Sequence, residues 1–312
     1  MSLFQAIILG IVQGLTEFIP ISSTAHLIFA GRAVGLYQGV NATLRAEQTT
    51  ATIAVLQLGT LLAVLVYFAG DILKISRAFV MDHIALLTGG RVAANPVATA
   101  LGTERENPIA GIRGRLSFEA WLGWLIIIGS LPVAVVGLLF KKQIEGTFTK
   151  NLWVIATMMI VIAVLLAIAE LVGKQKRSME QLGIVDAIAV GVAQCLALIP
   201  GSSRSGSTIM AGLFAGEVRE TAARFSFLLS IPAVAASGLL ELREAVHKLP
   251  PGSAGSMMVA TLASFVVGYA SIWFLLRFLR THSTGVFIAY RLIIGTLILV
   301  GLWGGYISAS VR

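Results

Sequence analysis

The sequence predicts an all-α polytopic membrane protein built from inverted-topology repeats, with six transmembrane helices and two re-entrant helical hairpins. Three observations carry this reading. Hydrophobic residues make up 57% of the 312 positions and charged residues 12%, about half the charged share of an ordinary soluble domain. Six stretches are long and apolar enough to cross a bilayer as helices. Two more apolar stretches are broken by proline and polar residues, and these two resemble each other.

The first broken stretch, 3–36, carries Gln13, Glu17, Pro20, Ser22, Ser23 and His26 in its middle. Each half is too short to span. Proline in a polar turn between two short apolar segments predicts a hairpin that enters and leaves on one face, its tip buried in protein or lining a wet cavity. Spans follow at about 51–69, 119–140 and 152–172. Between the first two lies 70–118, which contains GG, NP and several charges and reads as an inserted cytoplasmic loop. The second broken stretch, 182–216, carries Gln194, Pro200, Arg204 and Thr208, and spans follow at about 221–241, 255–276 and 285–307. The chain therefore divides into a first repeat, 1–181, and a second, 182–312.

Over the two hairpins, Ala6, Gly10 and Gln13 match Ala187, Gly191 and Gln194. After a one-residue gap, Pro20, Ser22 and Ser23 match Pro200, Ser202 and Ser203. A hairpin plus three spans leaves the chain on the opposite side, so the second repeat is expected upside down, with the two polar tips meeting near the midplane. With the loop holding Lys174, Lys176 and Arg177 placed inside, inner segments hold 13 Lys/Arg and outer ones 8, which sets the orientation by the positive-inside rule.

A net charge of +8 raises the question of nucleic acid. No basic helix or aromatic ladder accompanies it, so the charge is assigned to loops against anionic lipid, and no nucleic-acid partner is expected. The single cysteine, Cys195, excludes an intrachain disulfide framework. Residues 1–12 lack the basic start of a cleavable signal. Small residues across the spans would permit a homodimer.

Ionisable residues inside a membrane are functional candidates by default, and Arg204 is the clearest. Its guanidinium stays charged and matches phosphate oxygens. The sequence after it reads as a helix start, where serines cap free N–H groups and the helix dipole favours an anion. Arg204, Ser203, Ser205, Gly206 and Thr208 are thus the expected phosphate cradle, and the plainer reading pairs Arg204 with Glu17 to hold the hairpins together. Gln13 and Glu17 lie four apart on one helical face. A carboxylate beside phosphate calls for a cation between them, so both are candidate ligands of Mg2+ or Ca2+. His26 is a candidate nucleophile or general acid, and Ser23 a second nucleophile. Tyr290 and Arg291 read equally as outer phosphate contacts or as snorkelling helix-end residues. His83, His247 and His282 are expected in solvated loops, and Asp186 and Glu170 at the interface. Gln57 either lines the cavity or bonds a neighbouring helix.

Two stretches, QGLTEFIPISSTAH and PGSSRSGST, resemble the signatures of the undecaprenyl-diphosphate phosphatase, or bacitracin-resistance, family. VLQLGTLLAV, RFSFLLSIPA and FIAYR extend the similarity to nearly all of the chain outside 70–118. The resemblance implies an enzyme of the bacterial plasma membrane that removes the terminal phosphate from a polyprenyl diphosphate, with a divalent cation and an active site on the outer face. It carries functional roles onto Glu17, Ser23, His26, Arg204, Ser205 and Thr208. Two departures stand out: Gln13 occupies a position where the signature also admits Glu, which removes one charge, and the 70–118 stretch is long. The competing functions are a flippase or transporter of a polyprenyl phosphate, which needs no nucleophile, and a scaffold in which Arg204 and Glu17 are a packing pair.

Overall fold

The computed structural model describes residues 1–37, 39, 42–89, 92, 115–140, 151–250 and 252–309. Among them are eleven α-helices and no strand, only an isolated bridge between Arg177 and Glu217. In chain order the helices are α1 (Leu3–Phe18), α2 (Ser23–Ala33), α3 (Ala42–Tyr67), α4 (Ala69–Leu87), α5 (Phe118–Leu139) and α6 (Leu152–Val172). They continue with α7 (Ile184–Gln194), α8 (Arg204–Phe214), α9 (Arg219–Lys248), α10 (Ala254–Leu279) and α11 (Gly285–Trp303). Six of them, α3, α5, α6, α9, α10 and α11, are long and apolar enough to cross a membrane, in agreement with the six expected spans.

One expectation is corrected. The stretch read as a loop from residue 70 begins as helix α4, which starts directly after α3. Its charges hid a helical stripe in which Ile72, Ile75 and Ala78 pack onto the core. Asp82 fastens it to the start of α5 by accepting the Ser117 amide at 2.8 Å and the Ser117 hydroxyl at 2.6 Å. His83 is likewise no solvated loop residue. Its Nδ1 meets the Phe79 carbonyl at 2.5 Å, and its Nε2 accepts the Trp124 indole N–H at 3.0 Å. Residues 93–114 and the His247 side chain lie outside the described residues.

Helices α1 with α2, and α7 with α8, form two hairpins, each fastened at its base. In the first, Ser2 caps α1 in a capping box with Gln5. The Gln5 amide also reaches across to the Val34 and Gly35 carbonyls at 2.8 and 3.3 Å. At the matching place in the second stands Asp186. It holds Arg177 in a bidentate pair with both contacts at 2.6 Å, and Arg177 donates to the Ala215 carbonyl at 2.9 Å. Each device satisfies carbonyls that a helix C-terminus leaves without partners, and each brings the hairpin's exit back to its entrance.

Between these bases, packing is reciprocal. Helix α1 lies against α10, and α7 against α5, while α6 pairs with α11. Each hairpin thus rests on a span from the other half of the chain, so the halves at 1–181 and 182–312 are interlocked. Apolar helices gain little from association in lipid, so small residues that permit close backbone approach decide such contacts. Gly14 illustrates this: a Cβ there would sit 2.7 Å from the Ser264 carbonyl oxygen on α10. Carboxylates tie helix ends together as well. Glu170 on α6 pairs with Arg219 on α9 and accepts the Thr284 hydroxyl at 2.7 Å.

Candidate functional site

The two hairpin tips are built alike. Ile19 and Ile199, each preceding a proline, are extended, as the proline ring requires, and this ends the incoming helical segment. The outgoing helix is then started by a serine in the left-handed region, Ser22 at φ 77° and Ser203 at φ 67°. The structure therefore pairs Ser22 with Ser203, one residue away from the sequence match of Ser22 with Ser202. The extra residue is Gly201, at φ 95°, where a Cβ would lie 2.2 Å from the Ile155 carbonyl oxygen. Only glycine fits both the torsion and the space.

The tips meet at Glu17, the one acid on α1. Its Oε1 accepts Arg204 Nη2 from the other tip at 3.1 Å. Its Oε2 accepts the Ser23 hydroxyl at 2.8 Å and the Gln13 amide at 3.2 Å. Ser205 Oγ donates to the Glu17 backbone carbonyl at 3.4 Å. Gln13, Glu17, Ser23, Arg204 and Ser205 are thus one network, with Ser203 joined to it through Ser205 at 3.2 Å.

The network is incomplete in a specific way. Arg204 is nearly enclosed, with an 11% exposed side chain. Its Nε and Nη1 are buried without a hydrogen-bond partner, and so is Gln13 Oε1. Buried donors of a charged group are costly to leave unpaired. The two free nitrogens lie on different edges of the guanidinium, and each calls for an acceptor such as an anion oxygen. The free amide oxygen beside a carboxylate is a pair of hard oxygen donors, as a Mg2+- or Ca2+-type ion requires. Among the described residues no three of His, Cys, Asp or Glu converge on one point.

His26 stands one helical turn after Ser23. Its Nδ1 lies 2.7 Å from the Ser22 carbonyl oxygen and its Nε2 lies 2.6 Å from the Tyr290 hydroxyl. Two residues of the expected cradle face elsewhere. The Gly206 N–H donates to Ser203 Oγ at 3.2 Å as an ordinary cap. Thr208 is fully buried and bonds the Arg204 carbonyl at 2.8 Å and Ser226 on α9 at 2.5 Å, so it joins two helices.

Sequence reasoning undervalued Arg291. It neither snorkels nor waits for phosphate: it is fully buried and spends its donors on backbone carbonyls. These belong to Pro20 of one tip at 3.2 Å, to Gly201 and Ser202 of the other at 2.9 and 3.1 Å, and to Met159 and Met158 of α6 at 3.1 and 3.3 Å. The available signal was an arginine two turns into an apolar span, deeper than a helix-end residue sits.

The family described as Bacitracin resistance protein BacA matches residues 6–297 of this chain. Curated relatives are similar along nearly their whole length. A protein of Syntrophobacter fumaroxidans is 49% identical, with 96% of this chain and 97% of the relative covered. One of Mycolicibacterium vanbaalenii is 45% identical, covering 99% and 100%, and one of Chlorobaculum tepidum is 44% identical, covering 98% and 99%. All three carry the name undecaprenyl-diphosphatase.

Proposed function

We infer that this chain, which belongs to the bacitracin resistance protein BacA family, is an integral membrane phosphatase. It hydrolyses undecaprenyl diphosphate to the monophosphate and inorganic phosphate, which returns the lipid carrier to cell-wall synthesis and gives resistance to bacitracin. One observation carries the assignment of the site. A hydroxyl, Ser23 Oγ, is aligned at 2.8 Å on a carboxylate, and the arginine on the other oxygen of that carboxylate has two nitrogens without partners. A nucleophile on its base beside an arginine with unpaired N–H groups is what phosphoryl transfer needs.

In this reading the diphosphate docks on the unpaired N–H groups of Arg204. Ser23 Oγ attacks its phosphorus and passes its proton to Glu17 Oε2. The P–O bond to the lipid monophosphate breaks, and the electron pair leaves on that oxygen. Water then attacks the phosphoseryl phosphorus, and its proton is drawn off towards His26 Nε2, which afterwards releases it to solvent. Ser23 Oγ leaves, recovers a proton from Glu17, and phosphate is released. Gln13 Oε1 and Glu17 would hold a divalent cation, Mg2+ or Ca2+, completed by phosphate oxygens and water. When bound, it supplies charge neutralisation at the diphosphate.

The inverted relation of the two halves is supported by the reciprocal packing of α1 on α10 and α7 on α5. Membership of the family supports a bacterial plasma-membrane location with the site open to the outer face, and the lysine and arginine distribution supports the orientation of the loops. The test is phosphate release from undecaprenyl diphosphate by purified protein in detergent, where transport has no meaning, with and without Mg2+ or Ca2+. Metal-dependent release that disappears in folded Ser23→Ala and Arg204→Ala, with a phosphoserine trapped in wild type, is the expected result. A folded wild type that binds the lipid and releases no phosphate would refute the reading.

A further inference from the structure

The least expected contact at the site comes from α11. Arg291 pins that helix to both hairpin tips through the Pro20, Gly201 and Ser202 carbonyls. The preceding residue, Tyr290, is thereby fixed relative to α2. Its hydroxyl reaches His26 Nε2 at 2.6 Å, and the two rings stack with centroids 5.6 Å apart and planes inclined by 16°. The other ring nitrogen faces the Ser22 carbonyl at 2.7 Å.

These two contacts settle where the protons lie. A backbone carbonyl only accepts, so Nδ1 carries the hydrogen. In the neutral imidazole Nε2 then bears the lone pair, and the Tyr290 hydroxyl must be the donor. Ser22 can turn its carbonyl onto the ring because it adopts the left-handed torsion that starts α2. The imidazole is thus held at both nitrogens by groups from different parts of the fold, with its plane set by the tyrosine ring.

We propose that Tyr290 relays a proton in the reaction: with His26 held in the Nδ1–H tautomer by the Ser22 carbonyl, the Tyr290 hydroxyl passes its proton to the Nε2 lone pair as its oxygen takes the proton of the attacking water. This rests on the reading of His26 as the base of the second step. Tyr290 does not touch the phosphate in this role. Its contribution is to the rate of the chemical step and not to binding of the lipid.

The experiment uses full-length protein in detergent, wild type and Tyr290→Phe, which keeps the stacked ring and removes only the hydroxyl. Ring-nitrogen NMR of histidine-labelled protein reads the tautomer directly, since the chain has 4 histidines and a His26→Gln variant identifies the signal. Wild type is expected to show the Nδ1–H form alone, and Tyr290→Phe the same form, since the Ser22 carbonyl still accepts from Nδ1. In phosphate-release assays Tyr290→Phe should lower kcat about tenfold, the worth of one oriented hydrogen bond, with KM unchanged. An Nε2–H tautomer in wild type would overturn the proposal whatever the variant does. So would a Tyr290→Phe protein with wild-type kcat, or one whose only change is a raised KM, which would make Tyr290 a lipid contact. Should the variant fail to fold, the wild-type spectrum alone still decides. Absence of phosphate release from wild type would instead sink the enzymatic reading, and the tautomer would remain measurable.

Discussion

Replacing Arg291 by methionine removes the guanidinium and keeps a long apolar side chain. Met158 and Met159 lie inside α6, so their carbonyls retain the helical ladder. The Pro20, Gly201 and Ser202 carbonyls belong to tip segments outside any helix and lose a donor they meet at 2.9–3.2 Å. At about 1 kcal/mol for each buried acceptor left unsatisfied, the low end of the usual range, the loss is about 3 kcal/mol. That is a factor of about 100 in the population with both tips docked. Arg291→Lys should fall between, because an ammonium has three donors on one nitrogen and cannot fork across acceptors on two sides. The assays are thermal unfolding in detergent and kcat/KM for phosphate release. Because the tips carry Glu17 and Arg204, activity should fall by about 100-fold in Arg291→Met even at temperatures where the protein is folded. Wild-type activity and unfolding temperature in both variants would refute the claim that Arg291 holds the tips together.

Gly201→Ala should abolish phosphate release while helix content is retained, since its Cβ would lie 2.2 Å from the Ile155 carbonyl oxygen at φ 95°; circular dichroism and activity side by side check this. Gln13→Glu adds a second carboxylate next to Glu17 and should lower the metal concentration for half-maximal activity about tenfold, as expected of one added charged ligand; a metal titration decides it. Glu217, between α8 and α9, is fully buried with both carboxylate oxygens unpartnered. Burial pushes its carboxyl from 4.5 up to about 8, Asp186 adds to the rise and Arg177 opposes it. A raised folded pKa means this group's contribution is complete below pH 4.5 and is lost as pH climbs towards about 8. Glu217→Gln, which cannot ionise, should flatten the fall in stability over that window; thermal unfolding from pH 5 to about 8 measures the slope.

The spans were legible because the bilayer imposes a length and an apolarity that composition reveals directly. The hairpins were legible because proline, glutamine and serine do not recur in order by chance within two apolar helices. Two things were not. Helix α4 carries Asp71, Lys74, Arg77 and Asp82, and charge density outweighed its stripe of Ile72, Ile75 and Ala78. The tip register slipped by one residue because identity aligned Ser22 with Ser202, whereas the left-handed torsion that starts the outgoing helix belongs to Ser22 and Ser203. Sequence identity counts letters, and the extra residue, Gly201, is an adjustment of backbone direction that no letter match displays. For the same reason Thr208, which matches a signature position, turned out to bond a neighbouring helix.

Two arginines at the hairpin tips separate structural from functional charge. Both are surrounded by protein, and burying either is justified only if its N–H groups find acceptors. Arg291 finds them all within the chain: every one of its side-chain nitrogens bonds a carbonyl. Arg204 does not. One nitrogen reaches Glu17, and Nε and Nη1 are left without partners. Had its purpose been only to join the hairpins, serving Glu17 with a second nitrogen or placing carbonyls around it, as around Arg291, would have been within reach of the same fold. The fold instead assigns the docking of the tips to Arg291 and leaves Arg204 short of acceptors. An anion would complete it, and the proposed nucleophile, Ser23, lies on the same carboxylate. The difference in satisfaction between the two guanidiniums, more than their depth or their charge, is what singles out Arg204 as the proposed phosphate-binding group.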